Sequence, residues 1–476
     1  MTTLAPAELA PLDALMLKTD ADPMYRSVIT GVLVLDGEPG WDRVLAVFEA
    51  ATHKATRLRQ KVVAPLLPVG PPQWVPDASF DLRYHVRRAT APGDGSLAEV
   101  LAAASAAATA PFDRARPLWD AILYEGMPGG SAIVLRTHHA LADGLGSMEI
   151  LGALLDLEPD PPAEPEVDEP GTLDVPAAES TPAGLLLSRL AAASMPGSAL
   201  ERNISIGLAA GRMALQPGGT FTQVTAWASS VRRLLTADGA TPSALLGERS
   251  RSRRFAALDV PLAALKKVAN EADCTVNDAY LAALLGGFRR YQDKQGGPAG
   301  DVPLALPINL RGQGAGPADA AGNQFSAAVL AGPATIEDPV ERMRAVAHLV
   351  RQARSEPGLD APSRLAPVLA QLPARLSTLG LAAHARRVDL QASNVMGAAM
   401  PTYLAGQRVR RLYPFGPLPG IPAMAVLLSH DGTCCIGVTY DPAAITDAPL
   451  FFTCLGEAMD ELLDGHATIT PVVIPD

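Results

Sequence analysis

The chain has 476 residues, of which 48% are hydrophobic and 19% are charged, and its formal net charge at pH 7 is −11. A chain of this length suits two domains of about 200 residues, each with its own core. The negative charge argues against a nucleic-acid-binding protein, because such proteins present a basic face to the phosphates. No window has the ~18 uncharged apolar residues of a membrane span. We therefore expect a cytosolic protein, or one that meets a membrane only from the cytosolic side.

Strands and helices are predicted to alternate in the N-terminal part of the chain, residues 1–156, which we expect to form one lobe. Alternating or continuous apolar runs predict strands, and apolar residues three and four positions apart predict helices. A helix over 42–61 is expected to begin with Asp42 as its cap. The other predicted elements are strands at 28–37, 80–89, 121–126 and 131–139 and a helix at 97–110.

Residues 157–184 break this pattern. The segment is rich in proline, glutamate and aspartate, and it has no aromatic residue and no periodicity. Such a composition buries too little apolar surface to offset the entropy lost on ordering, so we predict a flexible linker. The helical segment that follows, 185–215, is expected to pack on the body of the protein, with an interfacial membrane helix as the alternative.

The C-terminal part, 185–476, repeats the mixture of strands and helices after this helical connection. Its predicted strands lie at 254–260, at 302–310 and around 423–441, and its predicted helices at 262–272, 276–292, 339–354 and 449–463. Two α+β parts with a similar order of elements indicate two related lobes. A cleft between lobes is the usual place for a ligand.

The stretch RTHHALADGLG, residues 136–146, holds two adjacent histidines at the predicted end of a strand. Side chains alternate along a strand, so His138 and His139 point to opposite faces and do not together bind one metal ion. One histidine can then serve in chemistry, since an ordinary pKa of about 6.5 suits a general base. Asp143 lies where the next helix begins, and Gly144 lets the chain reverse there.

No nucleophile accompanies the histidines. The sequence has no G-x-S-x-G motif, and its four cysteines have neither metal-ligand spacing nor a recognisable catalytic partner. The pattern therefore favours direct transfer, in which a base takes a proton from a hydroxyl or an amine that attacks an already activated acyl group. We expect no covalent enzyme intermediate and no metal ion.

HHALADG resembles the HHxxxDG signature of the CoA-dependent acyltransferase superfamily, which includes chloramphenicol acetyltransferase and the condensation domains of peptide synthetases. Further blocks are similar to those of the bacterial wax ester synthase/diacylglycerol acyltransferase family, and they cover nearly the whole chain except the linker. These blocks are the opening LAPLDALMLKTDADPMYRSV, Pro117-Leu118-Trp119, Asn277-Asp278, Gly322-Asn323 and Ser393-Asn394-Val395. The resemblance implies an α+β fold of two lobes, of the chloramphenicol-acetyltransferase type.

The resemblance also implies the chemistry. His139 would be the base in a tunnel between the lobes, with acyl-CoA entering from one mouth and the alcohol from the other. His138 would support the strand and loop, and Asp143 would pair with an arginine, for which Arg311 is the candidate. The acceptor would be diacylglycerol or a long-chain alcohol, and the product triacylglycerol or a wax ester. Acyl-CoA would be a substrate, and no cofactor would be needed.

Four further residues are predicted to contact substrates: Gly144, Trp119, Asp278 and Asn394. Asn277 is predicted to act with the histidines, because its amide and the N-terminus of a helix that Thr275 caps could stabilise an oxyanion or orient His139. The alternative is that Asn277 and Asp278 only complete the end of this helix. Trp119 either packs in the core or lines the acyl tunnel.

Two segments leave substrate recognition open. The family usually has SNVPGP where this chain has Met396 and Ala398 in place of the two prolines, so the hairpin is expected to be looser and the choice of acceptor is less defined. The four arginines of ERSRSRRF, 248–255, are interpreted as a solvated face, with CoA phosphates or anionic lipid headgroups as the alternative partners.

Apolar substrates imply peripheral association with the inner face of the membrane or with lipid droplets, and an oligomer is compatible with the sequence. Two rival functions remain: a condensation-type acyltransferase that uses another alcohol or an amine, and a non-catalytic lipid-binding protein of the same fold. A long apolar tunnel beside His139 would favour a lipid acceptor, whereas a docking surface for a carrier protein would favour condensation.

Overall fold

The structure is a computed structural model, and it describes residues 7–66, 70–141, 144–161, 181–193, 239–298, 300–309, 325–356, 366, 370, 373–464 and 472–473. The strands are β1 (Ala7–Glu8), β2 (Val28–Leu35), β3 (Gln60–Val63), β4 (Gln73–Pro76), β5 (Val86–Thr90), β6 (Trp119–Met127), β7 (Gly130–His138), β8 (Arg254–Pro261), β9 (Val302–Asn309), β10 (Phe325–Gly332), β11 (Leu390–Val395), β12 (Tyr403–Leu404), β13 (Gln407–Phe415), β14 (Ala423–His430), β15 (Thr433–Tyr440) and β16 (Val472–Val473). The helices are α1 (Pro11–Thr19), α2 (Trp41–Lys54), α3 (Leu82–His85), α4 (Leu97–Ala108), α5 (Gly144–Leu154), α6 (Pro182–Ala193), α7 (Leu262–Glu271), α8 (Val276–Lys294), α9 (Pro339–Arg354), α10 (Ala374–Ala385) and α11 (Ala448–Leu463).

Two large sheets and one small sheet organise these elements. The first large sheet has the strand order β12-β13-β2-β7-β6-β5, and the second has the order β10-β9-β11-β14-β15-β8-β16. Neighbouring strands are antiparallel except in the pairs β5–β6, β9–β11 and β11–β14. The small sheet, β1-β4-β3, supports helix α6, whose Leu185 is buried against Val63 and Val75.

Apolar side chains fill both faces of the first sheet. Helices α2 and α5 pack on one face. The other face meets helix α4 and strand β8, so that Val32 and Val134 share a buried cluster with Phe255. A separate core packs α7, α8 and α11 on the second sheet. The two sheets therefore have their own cores and also share an apolar interface.

Strand β13 comes from the C-terminal part of the chain but joins the sheet of the N-terminal part, where it pairs with β2. Its Phe415 ring stacks on Phe255 of β8, with the ring centroids 4.1 Å apart. A Cβ atom at Gly437 of β15 would lie only 2.0 Å from the carbonyl oxygen of Pro414, so glycine lets the two sheets approach. The sequence QRVRRLYPF, with its arginines and a proline, carries a weak strand signal, and this crossing was not predicted.

Two predicted elements of the N-terminal part are corrected by the structure. The helix predicted at 42–61 ends at Lys54 and is followed by a short 3-10 turn and by β3. Asp42 is not its cap, because α2 begins at Trp41 after Gly40 and Asp42 lies in the first turn. The strand predicted at 80–89 is divided, since the Asp81 side chain accepts a hydrogen bond from the N–H of Arg83 and starts helix α3.

The segment between the lobes is described only in part. Helix α6 begins at Pro182, inside the predicted linker at 157–184, and residues 162–180 lie outside the described residues. Of the helical segment predicted at 185–215, the described part ends at Ala193. The flexible linker therefore stays a prediction.

Candidate active site at the end of strand β7

The histidine pair lies at the end of a central strand of the first sheet. Strand β7 pairs with β2 on one side and with β6 on the other, and its last residue is His138. The strand predicted at 131–139 thus ends one residue early, and His139 is the first residue of the turn that follows. A paired central strand gives this turn a rigid base, which is a common setting for functional side chains.

The ring of His138 is buried, with 1% of its surface exposed. Its Nδ1 atom accepts a hydrogen bond from the N–H of Ala140 at 3.0 Å. An accepting Nδ1 carries no proton, so the ring proton is on Nε2. This Nε2 atom lies 3.5 Å from Oδ1 of Asp20. The N–H of the imidazole therefore faces a carboxylate.

Asp20 connects both histidines to the N-terminal segment. Its carboxylate accepts the N–H of Ser27 at 3.1 Å, and the carbonyl oxygen of Ser27 accepts the backbone N–H of His139 at 2.7 Å. Burial alone would raise the pKa of Asp20, but the neighbouring His138, the Ser27 amide and Arg114 together hold this pKa below its ordinary value. A charged Asp20 is thus the acceptor around which the two histidines are ordered.

Sequence reasoning missed Asp20 as a site residue. It lies in the opening block, in the stretch KTDADP between helix α1 and a short turn at Pro23–Tyr25. Asp22 is two residues away and differs in no obvious way in the sequence, yet its side chain accepts the N–H of Met24 within its own turn. The contact with His138 depends on the fold, and no local pattern distinguishes the two aspartates.

The predicted alternation along β7 is confirmed by the contacts of its side chains. The ring of Phe112 lies 5.1 Å from the guanidinium carbon of Arg136 and 6.4 Å from the ring of His138, so these two side chains share a face. Arg136 forms a two-point ion pair with Asp120 of β6. Leu135 belongs to the apolar cluster on the opposite face. The face of β7 that holds His138 thus also carries the Arg136–Asp120 ion pair, and the structural role of His138 stays a prediction.

The turn after β7 meets the C-terminal part of the chain through apolar contacts. The side chain of His139 is half-buried. The two residues that follow it, Ala140 and Leu141, are buried in one cluster with Leu428 of β14. Val395 packs against the same cluster. The end of the Ser-Asn-Val block and the histidine turn are thus brought to a shared apolar region.

Asn394, predicted to contact substrate, is exposed on β11 next to this region. Met396, at the position where the family usually has proline, is 84% exposed. A Cβ atom at Gly397 would lie 2.3 Å from the carbonyl oxygen of Ser429, and the N–H of Asp431 donates to the carbonyl oxygen of the residue after Gly397 at 3.0 Å. Close backbone packing holds this loop; the looser hairpin and the substrate contact of Asn394 stay predictions.

Trp119 lies in the core of the first lobe. Its ring is 1% exposed, and it stacks between Phe48, at 6.1 Å, and His85, at 4.6 Å. Its indole N–H donates to the carbonyl oxygen of Leu58 at 2.8 Å. These contacts agree with the packing interpretation of the Pro-Leu-Trp block. A part for Trp119 in binding the acyl chain stays a prediction.

The start of helix α8 is built as the sequence predicted. Thr275 caps it by accepting the N–H of Asp278 at 3.3 Å, and the Asp278 carboxylate accepts the N–H of Thr275 at 2.9 Å. The buried Asp278 thus completes a capping box, which gives it a structural role whether or not it also contacts substrate. Asn277 is half-buried in the same turn. Its proposed part in catalysis stays a prediction.

Several predicted residues lie at or beyond the limits of the described chain. Gly144 is the first residue of α5, as expected for a glycine between the turn and the helix. Asp143 and its candidate partner Arg311 lie outside the described residues, as do Gly322 and Asn323.

The arginines of 248–255 are not a uniform solvated face. Arg253 is 5% exposed and donates to the carbonyl oxygen of Arg26 at 3.0 Å, and its burial lowers its pKa to about 10. Arg249 donates to the carbonyl oxygen of Gly420 at 2.8 Å. The interpretation as a solvated face is therefore wrong for these two residues. Arg253 instead links the C-terminal part to the segment between Asp20 and Ser27.

Further properties of the described residues concern the cysteine thiols, metal ligands and the length of the helices. Burial raises the pKa of Cys434 to about 11 and that of Cys435 to about 12, which disfavours a thiolate nucleophile. Among the described residues, no three histidine, cysteine or acidic side chains come together as metal ligands. None of the helices within the described ranges has the length and apolar character needed to cross a bilayer.

The architecture is that of the two-lobed, CoA-dependent acyltransferases. A wax ester synthase/diacylglycerol acyltransferase from Marinobacter aquaeolei VT8 superimposes with a TM-score of 0.64 at 21% identity, covering 97% of this chain and 100% of that chain. The starter condensation domain of rhizomide synthetase superimposes with a TM-score of 0.56 at 13% identity, covering 97% and 96% of the two chains. The expected fold class, α+β with two lobes, is confirmed.

Sequence comparison defines the family within this class. The model of the wax ester synthase/diacylglycerol acyltransferase catalytic domain matches residues 9–280, and that of the family's C-terminal domain matches residues 321–463. A Mycobacterium tuberculosis protein provisionally named diacylglycerol O-acyltransferase Rv2484c is 40% identical over 470 residues, 98% of this chain and 94% of that protein. Another from the same organism, provisionally named diacylglycerol O-acyltransferase Rv3087, is 31% identical over 437 residues, 86% of each chain. The chain belongs to the wax ester synthase/diacylglycerol acyltransferase family.

Proposed function

We propose that this chain transfers a long-chain acyl group from acyl-CoA to the hydroxyl group of diacylglycerol or of a long-chain alcohol, forming triacylglycerol or a wax ester. Its family and the names of its relatives support this reaction class. The observation that carries the proposal is the ordered histidine pair, in which Asp20 and Ser27 hold His138 and the backbone of His139 at the end of β7.

His139 is the general base of the proposed reaction. Its imidazole takes the proton from the acceptor hydroxyl while the hydroxyl oxygen attacks the thioester carbonyl carbon. The new carbon–oxygen ester bond forms, the carbon–sulfur bond breaks, and the proton passes from His139 to the departing CoA thiolate. The products are one ester and one free CoA thiol, and no acyl group is attached to the protein at any stage.

The neighbouring residues prepare His139 for this step. His138 does not touch the substrates; its ring ties the strand end to Asp20, and this fixes the turn from which His139 projects. Asp143 has the structural role that the family resemblance implies, in which it pairs with an arginine. The Asn277 amide, at the start of α8, stabilises the negative charge that develops on the thioester oxygen.

The remaining site residues shape substrate binding. Gly144 leaves room at the start of α5, Trp119 limits the acyl channel from the core, and Asp278 and Asn394 border the acceptor. The division of the chain into a first lobe at 1–156, a linker at 157–184 and a second lobe after it supports entry of the two substrates from opposite sides. No cofactor is required, because acyl-CoA brings the acyl group already activated.

The acceptor and the product determine where the protein works. Diacylglycerol and long-chain alcohols partition into bilayers, so the enzyme has to associate with a membrane surface or with lipid droplets to meet them. We propose peripheral association from the cytosolic side.

A condensation-type reaction is the second candidate, because peptide-synthetase condensation domains share the fold. The test is ester formation from radiolabelled palmitoyl-CoA with diacylglycerol, with hexadecanol and with a long-chain amine. The proposal expects ester from at least one of the two alcohols, and the ratio of the products identifies the preferred acceptor. Amide without ester would favour the condensation-type reaction, and no product from any acceptor would favour a lipid-binding protein.

The role of His139 is tested with His139→Ala and a matched control. We expect His139→Ala to lower the rate of ester formation by about a hundredfold or more, the usual contribution of a general base. His348→Ala removes an exposed histidine of helix α9 and is expected to leave the rate unchanged. Circular dichroism and thermal melting establish that both variants are folded. A folded His139→Ala variant with the wild-type rate would show that His139 is not the base.

A further inference from the structure

Helix α10, Ala374–Ala385, has an unusual distribution of apolar and polar side chains. The side that faces the body carries Ser377, which is 7% exposed, and the half-buried His384. Leu376 and Leu379, which are 51% and 65% exposed, lie on the other side. Single surface leucines are ordinary. This helix, however, exposes two leucines one turn apart and buries a serine. Such a distribution indicates a surface that contacts an apolar partner.

Positive charge surrounds these two leucines. Arg375, Arg386 and Arg387 are exposed, and none of the described carboxylates forms an ion pair with them. From residue 361 to residue 388 the sequence contains four arginines and no aspartate or glutamate, although the whole chain has a net charge of −11. This patch therefore attracts an anionic partner, whereas the rest of the protein repels one.

The same helix packs against the segment that holds the histidines. Helix α10 contacts α1, which leads into Asp20. At its C-terminal end, Ala385 meets Met24 and Tyr25 around Gly420, where a Cβ atom would lie 3.3 Å from Ala385 and 3.5 Å from each of the other two side chains. Tyr25 is two residues before Ser27, the residue whose carbonyl oxygen holds the backbone of His139. The helix that carries the exposed leucines and arginines thus packs, through its opposite side, against the segment that holds the histidines.

We propose that helix α10 is the surface with which the protein docks on an anionic lipid bilayer. Leu376 and Leu379 enter the boundary between headgroups and acyl chains, and the three arginines contact lipid phosphates. A symmetric dimer in which this face meets its own copy is disfavoured, because both copies would present the same positive patch. This inference rests on the proposed function, since docking here lets an apolar acceptor move between the bilayer and the segment 20–27 without crossing water.

Binding is tested directly by flotation of the full chain with vesicles. The vesicles contain either phosphatidylcholine alone or phosphatidylcholine mixed with phosphatidylglycerol. Wild type is expected to bind the anionic vesicles more tightly, and added salt should weaken this binding. Arg386→Gln with Arg387→Gln should weaken it by about tenfold or more, since each basic residue near an anionic surface contributes about 1 kcal/mol. Leu376→Ser with Leu379→Ser should also weaken it.

A leucine elsewhere on the surface is the matched control. Leu187 of helix α6 is 67% exposed, close to the 65% of Leu379, and Leu187→Ser is expected to bind vesicles like wild type. Equal binding by wild type and both α10 variants would overturn the proposal, as would wild type that binds no anionic vesicle. Loss of self-association in the α10 variants, with unchanged vesicle binding, would overturn it in favour of an interface between copies.

Activity measurements separate this inference from the proposed function. With palmitoyl-CoA and a short water-soluble alcohol, the α10 variants should keep the wild-type rate, because the histidine pair is intact. With acceptor embedded in anionic vesicles, they should lose most of the rate. If no acceptor is esterified by any form, the proposed function fails while flotation still decides whether α10 docks. If the variants lose activity only with the soluble alcohol, the helix serves the active site and the docking proposal is wrong.

Discussion

The imidazole Nε2 of His138 and the carboxylate Oδ1 of Asp20 lie 3.5 Å apart at the end of strand β7, and both groups are buried. Asp20 also accepts the N–H of Ser27, and Ser27 accepts the backbone N–H of His139. A single carboxylate thus orders the first histidine through its side chain and the second through the backbone. The pair depends on a residue that is distant in the sequence.

The variant Asp20→Asn should lower the rate of acyl transfer by about tenfold to a hundredfold, because a small displacement of a catalytic side chain costs a rate of this order. The amide keeps the shape of the side chain but presents no negative charge to His138. The readout is kcat and KM with hexadecanol. A fall in kcat with little change in KM would agree with a positioning role, and wild-type kinetics would contradict it.

The same variant should change how stability depends on pH. Because the folded state holds the pKa of Asp20 below its ordinary value, the ionised carboxylate stabilises the folded protein above about pH 4, and this stabilisation is lost as the pH falls through the folded pKa. Asp20→Asn lacks this contribution. Urea unfolding of both proteins should therefore show a difference in the free energy of unfolding that shrinks towards acidic pH. Asp22→Asn, two residues away, is the matched control.

A substitution of Tyr413 tests how much one hydrogen bond between the two large sheets stabilises the fold. Its hydroxyl on β13 donates to Oδ1 of Asp259 on β8 at 2.8 Å, and Arg411 pairs with the other oxygen of the same carboxylate. Tyr413→Phe should lower the free energy of unfolding by about 1 kcal/mol, because it leaves one acceptor of Asp259 without its donor. Tyr124→Phe is the control, since no hydrogen bond of the Tyr124 hydroxyl is present in the described structure. Equal losses in both variants would show that the contact between the sheets contributes nothing specific.

Gly286 should be intolerant of a side chain, unlike Gly380 of helix α10. A Cβ atom there would lie 2.6 Å from Nη2 of Arg342, a fully buried guanidinium whose Nε donates to the carbonyl oxygen of Ala282 at 2.9 Å. Gly286→Ala should therefore lower the free energy of unfolding by about 1–3 kcal/mol through overpacking. Gly380→Ala, where nothing lies within 4 Å, should raise it by about 0.5–1 kcal/mol through helix propensity. Thermal melting of the two variants should shift in opposite directions.

Local patterns were sufficient for some parts of the site. Alternation along a strand placed His138 on the face of Arg136, and the contacts of both with Phe112 agree. The capping box of Thr275 and Asp278 also followed from spacing alone, because its hydrogen bonds join residues within one helical turn. Predictions of this kind succeed where the physical interaction is itself local.

Local patterns could not predict the contacts between residues that are far apart in the sequence. Asp20 and Arg253 looked like ordinary charged surface residues, yet one is buried against His138 and the other against the carbonyl oxygen of Arg26. Strand β13 joins a sheet whose other main strands come from the opposite half of the chain. These contacts depend on which distant segments meet, and a single sequence records that in no periodicity or spacing.

The contribution of Asp389 to the free energy of unfolding changes with pH in the opposite direction to that of Asp20. Its side chain is 1% exposed and accepts the N–H of Ser243 at 2.7 Å. Burial raises its pKa to about 6, and the Ser243 amide and Arg249 oppose this effect only in part. The folded state therefore prefers the neutral acid, and the free energy of unfolding falls as the pH rises from about 4 to about 6. Raising the pKa of Asp389 to about 6 lowers the free energy of unfolding by at most ~3 kcal/mol at pH values above this range.

Asp389→Asn has the shape of the neutral acid but does not ionise, so it should be more stable than wild type at about pH 8 and equally stable at about pH 4. Urea unfolding across this pH range measures the difference. Asp42→Asn, at an exposed position of helix α2, is the control and should change the free energy of unfolding by less than about 0.5 kcal/mol at every pH. A constant difference between wild type and Asp389→Asn would mean that Asp389 titrates in the same range when folded and unfolded. A difference that grows with pH would show that the folded protein buries this carboxyl group at a cost.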